Sequence, residues 1–162
     1  MNGGDIFSGN PIVDQHEQRG LPMIELMNKV GYDYATFGNH EFDYGQEALA
    51  QRINDAVFPF LGANIHVDEK VAKIAQPEPY TIVKVDGIKI AILGLVEASK
   101  KRNGEWLPST HPDWLKGVTF TNPIETALEY KHLRKKCHLF IGLFHTGYDK
   151  DLQIAQAMPE LD

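Results

Sequence analysis

Strand-length apolar runs alternate with amphipathic helical segments along the whole chain, and this alternation limits the fold more than any other feature. Met23, Leu26 and Met27 stand at helical spacing and predict a helix over 22–30 that ends at Gly31. The same kind of pattern predicts helices over 46–56, 123–136 and 150–158, and buried strands over 34–37, 58–65 and 139–144. Strands that alternate with helices predict a layered α/β domain.

The clearest signal for strand pairing is Asp86-Gly87, which separates two β-rich runs over 80–85 and 88–96. An Asp-Gly pair in this position is typical of a tight hairpin, so the sheet should be mixed rather than purely parallel. Segment 99–117 is rich in tryptophan and proline without a clear period, and we expect a surface loop there.

Charge and length exclude several classes of function. The chain has 162 residues and a formal net charge of −6. This length suits one domain, and an acidic surface disfavours binding to a nucleic-acid polymer. A small anionic substrate stays possible, because bound metal ions supply positive charge locally. No apolar run is long enough for a membrane segment, and no signal-like leader is seen. The single cysteine, Cys137, is expected to be a buried strand thiol.

Three segments place polar groups where an apolar stretch gives way to a glycine-containing turn. They are Gly4–Gly9, Gly38–Gly45 and Leu143–Gly147. Ligands of open α/β sheets bind at such strand ends. Asp5 alone would be read as a turn residue, and His145 alone as a strand-end histidine. The second segment is more specific, because Asn-His-Glu-Phe-Asp follows a buried strand directly and has glycine on both sides.

These motifs resemble the calcineurin-like metallophosphoesterase superfamily. The Gly-Asn-His-Glu of segment 38–45, with a Gly-Asp before it and a strand ending in histidine after it, carries the resemblance. Segments 60–65 and 117–127 are similar to the 5′-nucleotidase branch in particular, and the likeness covers nearly the whole chain. It implies a layered α/β/β/α core with mixed sheets and a metal-dependent hydrolase as the parent enzyme.

The resemblance also implies roles for five residues. Asp5 would be the carboxylate that bridges two metal ions, and Asn39 and His145 would bind the second ion. His40 would stay off the metal and would stabilise the transition state or protonate the leaving group. Asp43 would orient the ring of His40.

The expected cofactor is a pair of divalent ions about 3.5–4 Å apart, which hold the attacking and leaving oxygens of an in-line displacement. The mixed ligands suit zinc, manganese, iron or cobalt without choosing among them. Glu41 has no assigned contact with metal or substrate, and we interpret it as structural.

Members of the family also carry Asp-x-His before the Gly-Asp and Gly-His-x-His after the last helix. This chain begins four residues before Asp5 and ends at Asp162. We therefore expect residues 1–162 to be a partial catalytic domain, incomplete at both ends, without the C-terminal substrate-binding domain. Such a chain should bind at most one divalent ion and show phosphohydrolase activity near background.

The expected function of the parent is hydrolysis of a nucleotide phosphate ester. A 5′-monophosphate is favoured over a 2′,3′-cyclic phosphate, since relatives that act on cyclic phosphates tend towards asparagine at the position of Asp43. The alternative is a non-catalytic module that keeps the fold and binds a ligand or partner. The resemblance further implies a periplasmic or secreted parent with a small nucleotide as its partner.

The other five histidines are not expected to bind metal. His16, His66 and His111 are predicted to lie in solvated or irregular segments, His132 at a basic helix end, and His138 within a strand.

Overall fold

Nine strands, five α-helices and three 3₁₀ turns form the structure. The computed structural model describes residues 1–162. The strands are β1 Ala35–Thr36, β2 Phe60–Leu61, β3 Ile65–Val67, β4 Tyr80–Val85, β5 Ile88–Val96, β6 Ser99–Lys100, β7 Trp106–Leu107, β8 Val118–Phe120 and β9 Leu139–His145. The α-helices are α1 Pro11–Asp14, α2 Leu21–Val30, α3 Gly45–Asp55, α4 Pro123–Glu129 and α5 Tyr148–Ala157. The 3₁₀ turns cover His40–Phe42, Pro112–Leu115 and Lys131–Lys136.

The sheets are mixed, as the sequence predicts. The three-stranded sheet has the order β4-β5-β9, with β4 and β5 antiparallel and β5 and β9 parallel. Asp86 and Gly87 join β4 to β5 with φ values of 49° and 89°. Both values are positive, as a tight hairpin turn requires, so the predicted hairpin is confirmed. Strands β1 and β2 form a parallel pair, and β3, β8, β7 and β6 form an antiparallel sheet in that order.

A cluster of aromatic side chains packs beneath the 38–45 segment and fixes its position. Phe42 is fully buried, and its ring centroid lies 6.1 Å from that of Phe37 and 5.7 Å from that of Phe120. Each such buried ring stabilises the fold by about 1.5–3 kcal/mol. The second apolar cluster lies between β5, β9, α4 and α5, and includes Leu93, Leu95, Leu133, Phe140 and Ile154.

Two predicted elements are divided in the structure. The predicted strand over 58–65 is two strands, β2 and β3, in different sheets. Asn64 lies between them, fully buried, and its side chain donates to Val96 O at 2.9 Å and accepts from Val96 N at 3.0 Å. This side chain replaces the ladder bonds that a continuous strand would make, so the chain can turn there. The predicted helix over 123–136 is α4 followed by a 3₁₀ turn, and Tyr130 between them packs its ring 5.7 Å from that of Tyr80.

Three further expectations need correction. Segment 99–117 is not only loop, because it contains β6, β7 and the 3₁₀ turn Pro112–Leu115, and β8 follows it. Cys137 precedes β9 and is half-buried, with its Sγ donating to Leu133 O at 3.3 Å. Within β9 only Phe140 is fully buried, because the strand lies at the edge of its sheet. None of the helices has the length and apolar character needed to cross a membrane.

Candidate metal and acid–base site

Asp5 is the point at which the three predicted segments meet. Its Oδ1 accepts a hydrogen bond from the backbone N–H of His40 at 3.0 Å, and its Oδ2 lies 3.1 Å from Nε2 of His145. The backbone φ of Asp5 is 58°, a left-handed conformation that side chains other than glycine adopt at a cost. The structure therefore holds this carboxylate in place by backbone geometry as well as by its contacts.

His145 stands at the end of β9 with one ring nitrogen tethered to the main chain. Its Nδ1 lies 2.8 Å from the carbonyl oxygen of Gly3, which can only accept a hydrogen bond, so Nδ1 carries the proton. In the neutral ring Nε2 then has a free lone pair that faces Asp5 Oδ2. Two such acceptor atoms in contact need a cation between them, either a proton or a metal ion. An N–H held by a carbonyl is also the usual support of a metal-binding histidine.

Asn39 does not form a hydrogen bond with Asp5 or His145. Its Nδ2 donates to Ser109 O at 3.0 Å, which leaves the amide oxygen without a protein partner. Asn39 is linked to the other two through its neighbour His40, whose N–H donates to Asp5. The structure thus brings Asp5 and His145 into direct contact, and the amide oxygen of Asn39, the residue before His40, has no hydrogen-bond partner.

His40 and Asp43 form a short pair, with 2.5 Å between Nδ1 and Oδ2. The hydrogen bond that His40 donates to Asp43 raises the pKa of His40 and outweighs the opposing effect of burial. Burial raises the pKa of Asp43, but hydrogen bonds from His40, Ser8 and Thr110 outweigh it and hold that pKa below its ordinary value. The side chain of His40 is 46% exposed, so its other nitrogen can be reached from solvent.

Glu41 has a larger part in the site than the sequence suggests. It is fully buried, and its carboxylate accepts hydrogen bonds from the backbone N–H groups of Asp5 at 2.9 Å, Ile6 at 2.6 Å and Gly38. Burial raises the pKa of this carboxyl, whereas the three N–H donors lower it. A Cβ at Gly38 would collide with Asp5 Oδ1 and with Glu41, so only glycine allows the two loops to approach this closely.

The donor set fits one metal ion better than two. Asp5 and His145, with the free amide oxygen of Asn39, offer a carboxylate, an imidazole and a carboxamide, which suit a divalent transition metal. No three side chains among histidine, cysteine, aspartate and glutamate are grouped so that they could hold a metal. Three donors can hold one ion, with water at its remaining positions.

Ser8 and Thr110 were missed by the sequence analysis. Both donate to Asp43, at 2.8 Å to Oδ2 and 2.9 Å to Oδ1. Ser8 belongs to the Gly4–Gly9 segment and could have been suspected for that reason. Thr110 lies 67 residues from Asp43 in a stretch interpreted as irregular, and no local pattern points to it.

Two of the other histidines differ from their predicted settings. His66 lies within β3 rather than in a loop, and exposed His138 precedes β9 rather than alternating within it. His138 Nδ1 accepts from the N–H of Lys89 at 2.8 Å, which explains its position without any ligand.

The chain is similar to bacterial nucleotidases over most of its length. It is 36% identical over 151 residues to a 5′-nucleotidase of Vibrio cholerae, an alignment that covers 91% of this chain and 26% of that protein. The structure of Haemophilus influenzae NAD nucleotidase matches with a TM-score of 0.77 and 33% identity, over 94% of this chain and 29% of that one. No protein-family model matches the chain.

A third likeness connects the chain to the wider superfamily. The calcineurin-like phosphoesterase YfkN of Bacillus subtilis matches with a TM-score of 0.67 and 27% identity, over 91% of this chain and 48% of that one. The chain spans about a quarter of the curated V. cholerae relative, 26% of its length. The matching proteins are named as nucleotidases or phosphoesterases, so the family is one of hydrolases. The homologues of this chain are 5′-nucleotidases, and its structural neighbours include a calcineurin-like phosphoesterase.

Proposed function

We propose that this chain forms part of the catalytic domain of an enzyme that hydrolyses the phosphate ester of a nucleotide, with a 5′-monophosphate favoured over a 2′,3′-cyclic phosphate. One observation carries the proposal. The Asp5–His145 pair and the His40–Asp43 pair are joined at one place by the hydrogen bond from His40 N to Asp5 Oδ1. Potential metal ligands and an acid–base pair therefore share one site.

Asp5, Asn39 and His145 are the proposed metal ligands. Asp5 can use both carboxylate oxygens, so it is the proposed bridge between two ions in the whole protein, and this chain holds at most one. A bound divalent ion would supply positive charge to the phosphoryl oxygens and make water a better nucleophile. Zinc, manganese, iron and cobalt all fit this mixture of oxygen and nitrogen donors.

His40 is the proposed acid, and Asp43 orients it. Asp43 accepts a hydrogen bond from Nδ1–H, so Nε2 is the nitrogen that can donate to a leaving oxygen or face the charge that develops on the phosphoryl group. The charged ring is favoured by the neighbouring carboxylate, which matches a reaction that builds negative charge. A positioned acid of this kind contributes about 10²–10⁴ to the rate.

The alternative function is a module that keeps the fold and binds a ligand without hydrolysing it. The two functions differ in whether phosphate is released. We further infer from the resemblance that the whole protein is periplasmic or secreted, which cell fractionation tests.

The deciding experiment compares this chain with the product of the complete reading frame that encodes it. Both are stripped with chelator, reloaded with manganese, zinc or cobalt, and assayed for phosphate release from nucleoside 5′-monophosphates and 2′,3′-cyclic phosphates. We expect turnover by the complete product, greater on the 5′-monophosphates, and near-background release by this chain. A metal-loaded complete product that binds nucleotides and releases no phosphate would establish the binding module instead.

A further inference from the structure

We propose that Ser8 and Thr110 are positioning residues, which hold the carboxylate of Asp43 in the one orientation that aims His40. The role in catalysis rests on the function proposed above. The geometry of the three contacts stands on its own.

Asp43 accepts hydrogen bonds from three different parts of the chain. His40 Nδ1 and Ser8 Oγ both donate to Oδ2, at 2.5 Å and 2.8 Å. Thr110 Oγ1 donates to Oδ1 at 2.9 Å. A carboxylate has about four acceptor sites on its two oxygens, so both oxygens are engaged. Rotation about the bond that carries the carboxylate would break all three contacts together.

Neither hydroxyl has another side-chain or backbone partner. Ser8 and Thr110 are half-buried, so removing either hydroxyl leaves no large internal cavity. Their common feature is the contact with Asp43, which is typical of an orienting function rather than of core packing.

The two hydroxyls also tie the acid–base pair to the proposed metal ligands. Ser8 follows Asp5 in the same loop, and Thr110 follows Ser109, whose carbonyl accepts the Nδ2 of Asn39. The dipeptide at 109–110 therefore contacts both Asn39 and Asp43. Through these links, two hydroxyl side chains that bind neither metal nor substrate in the proposed mechanism connect the acid to the loops of the proposed metal ligands.

Without the hydroxyls, the carboxylate gains freedom, because the terminal torsion of an aspartate is broad and nearly two-fold. The carboxylate of Asp43 would still accept from the ring of His40, but it would no longer hold that ring in one orientation. In the complete product, we expect removal of either hydroxyl to reduce kcat about tenfold with KM nearly unchanged. This effect is smaller than the loss of about 10²-fold that a 1 Å misplacement of a reacting group causes.

The test is proton NMR on this chain without metal or substrate. The Nδ1–H of His40, assigned by its loss in His40→Ala, should resonate downfield because it is donated to a carboxylate. In Thr110→Val and in Ser8→Ala we expect this resonance to move upfield and to exchange faster with water. Thr110→Ser, which retains the hydroxyl, should restore it.

Thr119→Val is the matched control, since Thr119 is exposed in β8 and its side chain has no hydrogen bond. An unchanged resonance in a folded Thr110→Val and a folded Ser8→Ala would overturn the proposal. If one of these variants does not fold, the other decides the result. Turnover of the complete product distinguishes a failure of the positioning proposal from a failure of the proposed hydrolase function. A shifted resonance together with full turnover by His40→Ala would refute the proposed function and leave the positioning intact.

Discussion

Replacement of Glu41 by glutamine should destabilise the fold strongly although the shape of the side chain is retained. Oε2 of Glu41 accepts from the N–H groups of Asp5 and Gly38, and Oε1 accepts from the N–H of Ile6. Glutamine has one carbonyl oxygen, which can keep the first two bonds. Its amide group would then face the N–H of Ile6, so two donors would meet in a buried place.

The magnitude follows from those contacts. A buried N–H without an acceptor costs about 1–3 kcal/mol, and the two bonds that remain lose the strength that a charged acceptor gives. Part of this loss is offset because a neutral amide is easier to bury than a carboxylate. We expect Glu41→Gln to lower the free energy of unfolding by about 2–4 kcal/mol, and at about 2–4 °C per kcal/mol for a chain of this size the melting temperature should fall by about 4–16 °C.

Urea unfolding followed by circular dichroism measures this difference directly. Glu25→Gln is the control, because Glu25 is exposed in α2 and its side chain makes no hydrogen bond, and its effect should stay within about 0.5 kcal/mol. Hydrogen exchange should also show faster exchange of the Ile6 amide in Glu41→Gln. A loss below about 1 kcal/mol with slow exchange at Ile6 would show that the carboxylate does not carry these three bonds.

Three other outcomes are expected. In the complete product, His40→Ala should reduce turnover by about 10²–10⁴ and leave the metal content unchanged, and Asp43→Asn should reduce it less; loss of metal in His40→Ala would make His40 a ligand instead. Isothermal titration with manganese should give at most one ion per chain, and none in His145→Ala; two tightly bound ions would reveal ligands that we have not identified. The hydrogen bond from Phe140 N–H lowers the pKa of Asp162, so its contribution to stability is present above its unfolded pKa and disappears as pH falls through the lower folded value. Acid unfolding of Asp162→Asn should lack this step, and identical acid profiles for the two proteins would contradict the assignment.

Features that depend on neighbouring residues could be predicted from the sequence. The hairpin at Asp86-Gly87 needs only two positive φ angles, and both residue types accept them. The pairing of His40 with Asp43 was implied by the family resemblance, and it also lies within one short segment, in which a 3₁₀ turn brings residues three apart together. Local chemistry determines the hairpin, so a single sequence is sufficient to find it.

Features that depend on distant partners could not be predicted in this way. Asn64 ends a strand because its side chain bonds to Val96, 32 residues away. Thr110 reaches Asp43 only after 67 residues of intervening chain have folded. Glu41 shows the same limit, since its residue type indicates a polar group but not that N–H donors from two loops surround it. Local propensities and short motifs do not predict such long-range contacts.

The position of β9 at the sheet edge has a consequence for ligand binding. His145 ends this strand and is paired with Val96 of β5, so a shift of one residue in the pairing would turn its ring to the opposite face. A strand with a single neighbour opens more readily than a central one, and an ion that joins His145 to Asp5 would oppose that opening. By linkage, ion binding would stabilise the closed strand by RT ln(1 + [L]/Kd). The amides of β9 should therefore exchange more slowly as the metal concentration rises, so the order of the strand and the occupancy of the site are one coupled equilibrium.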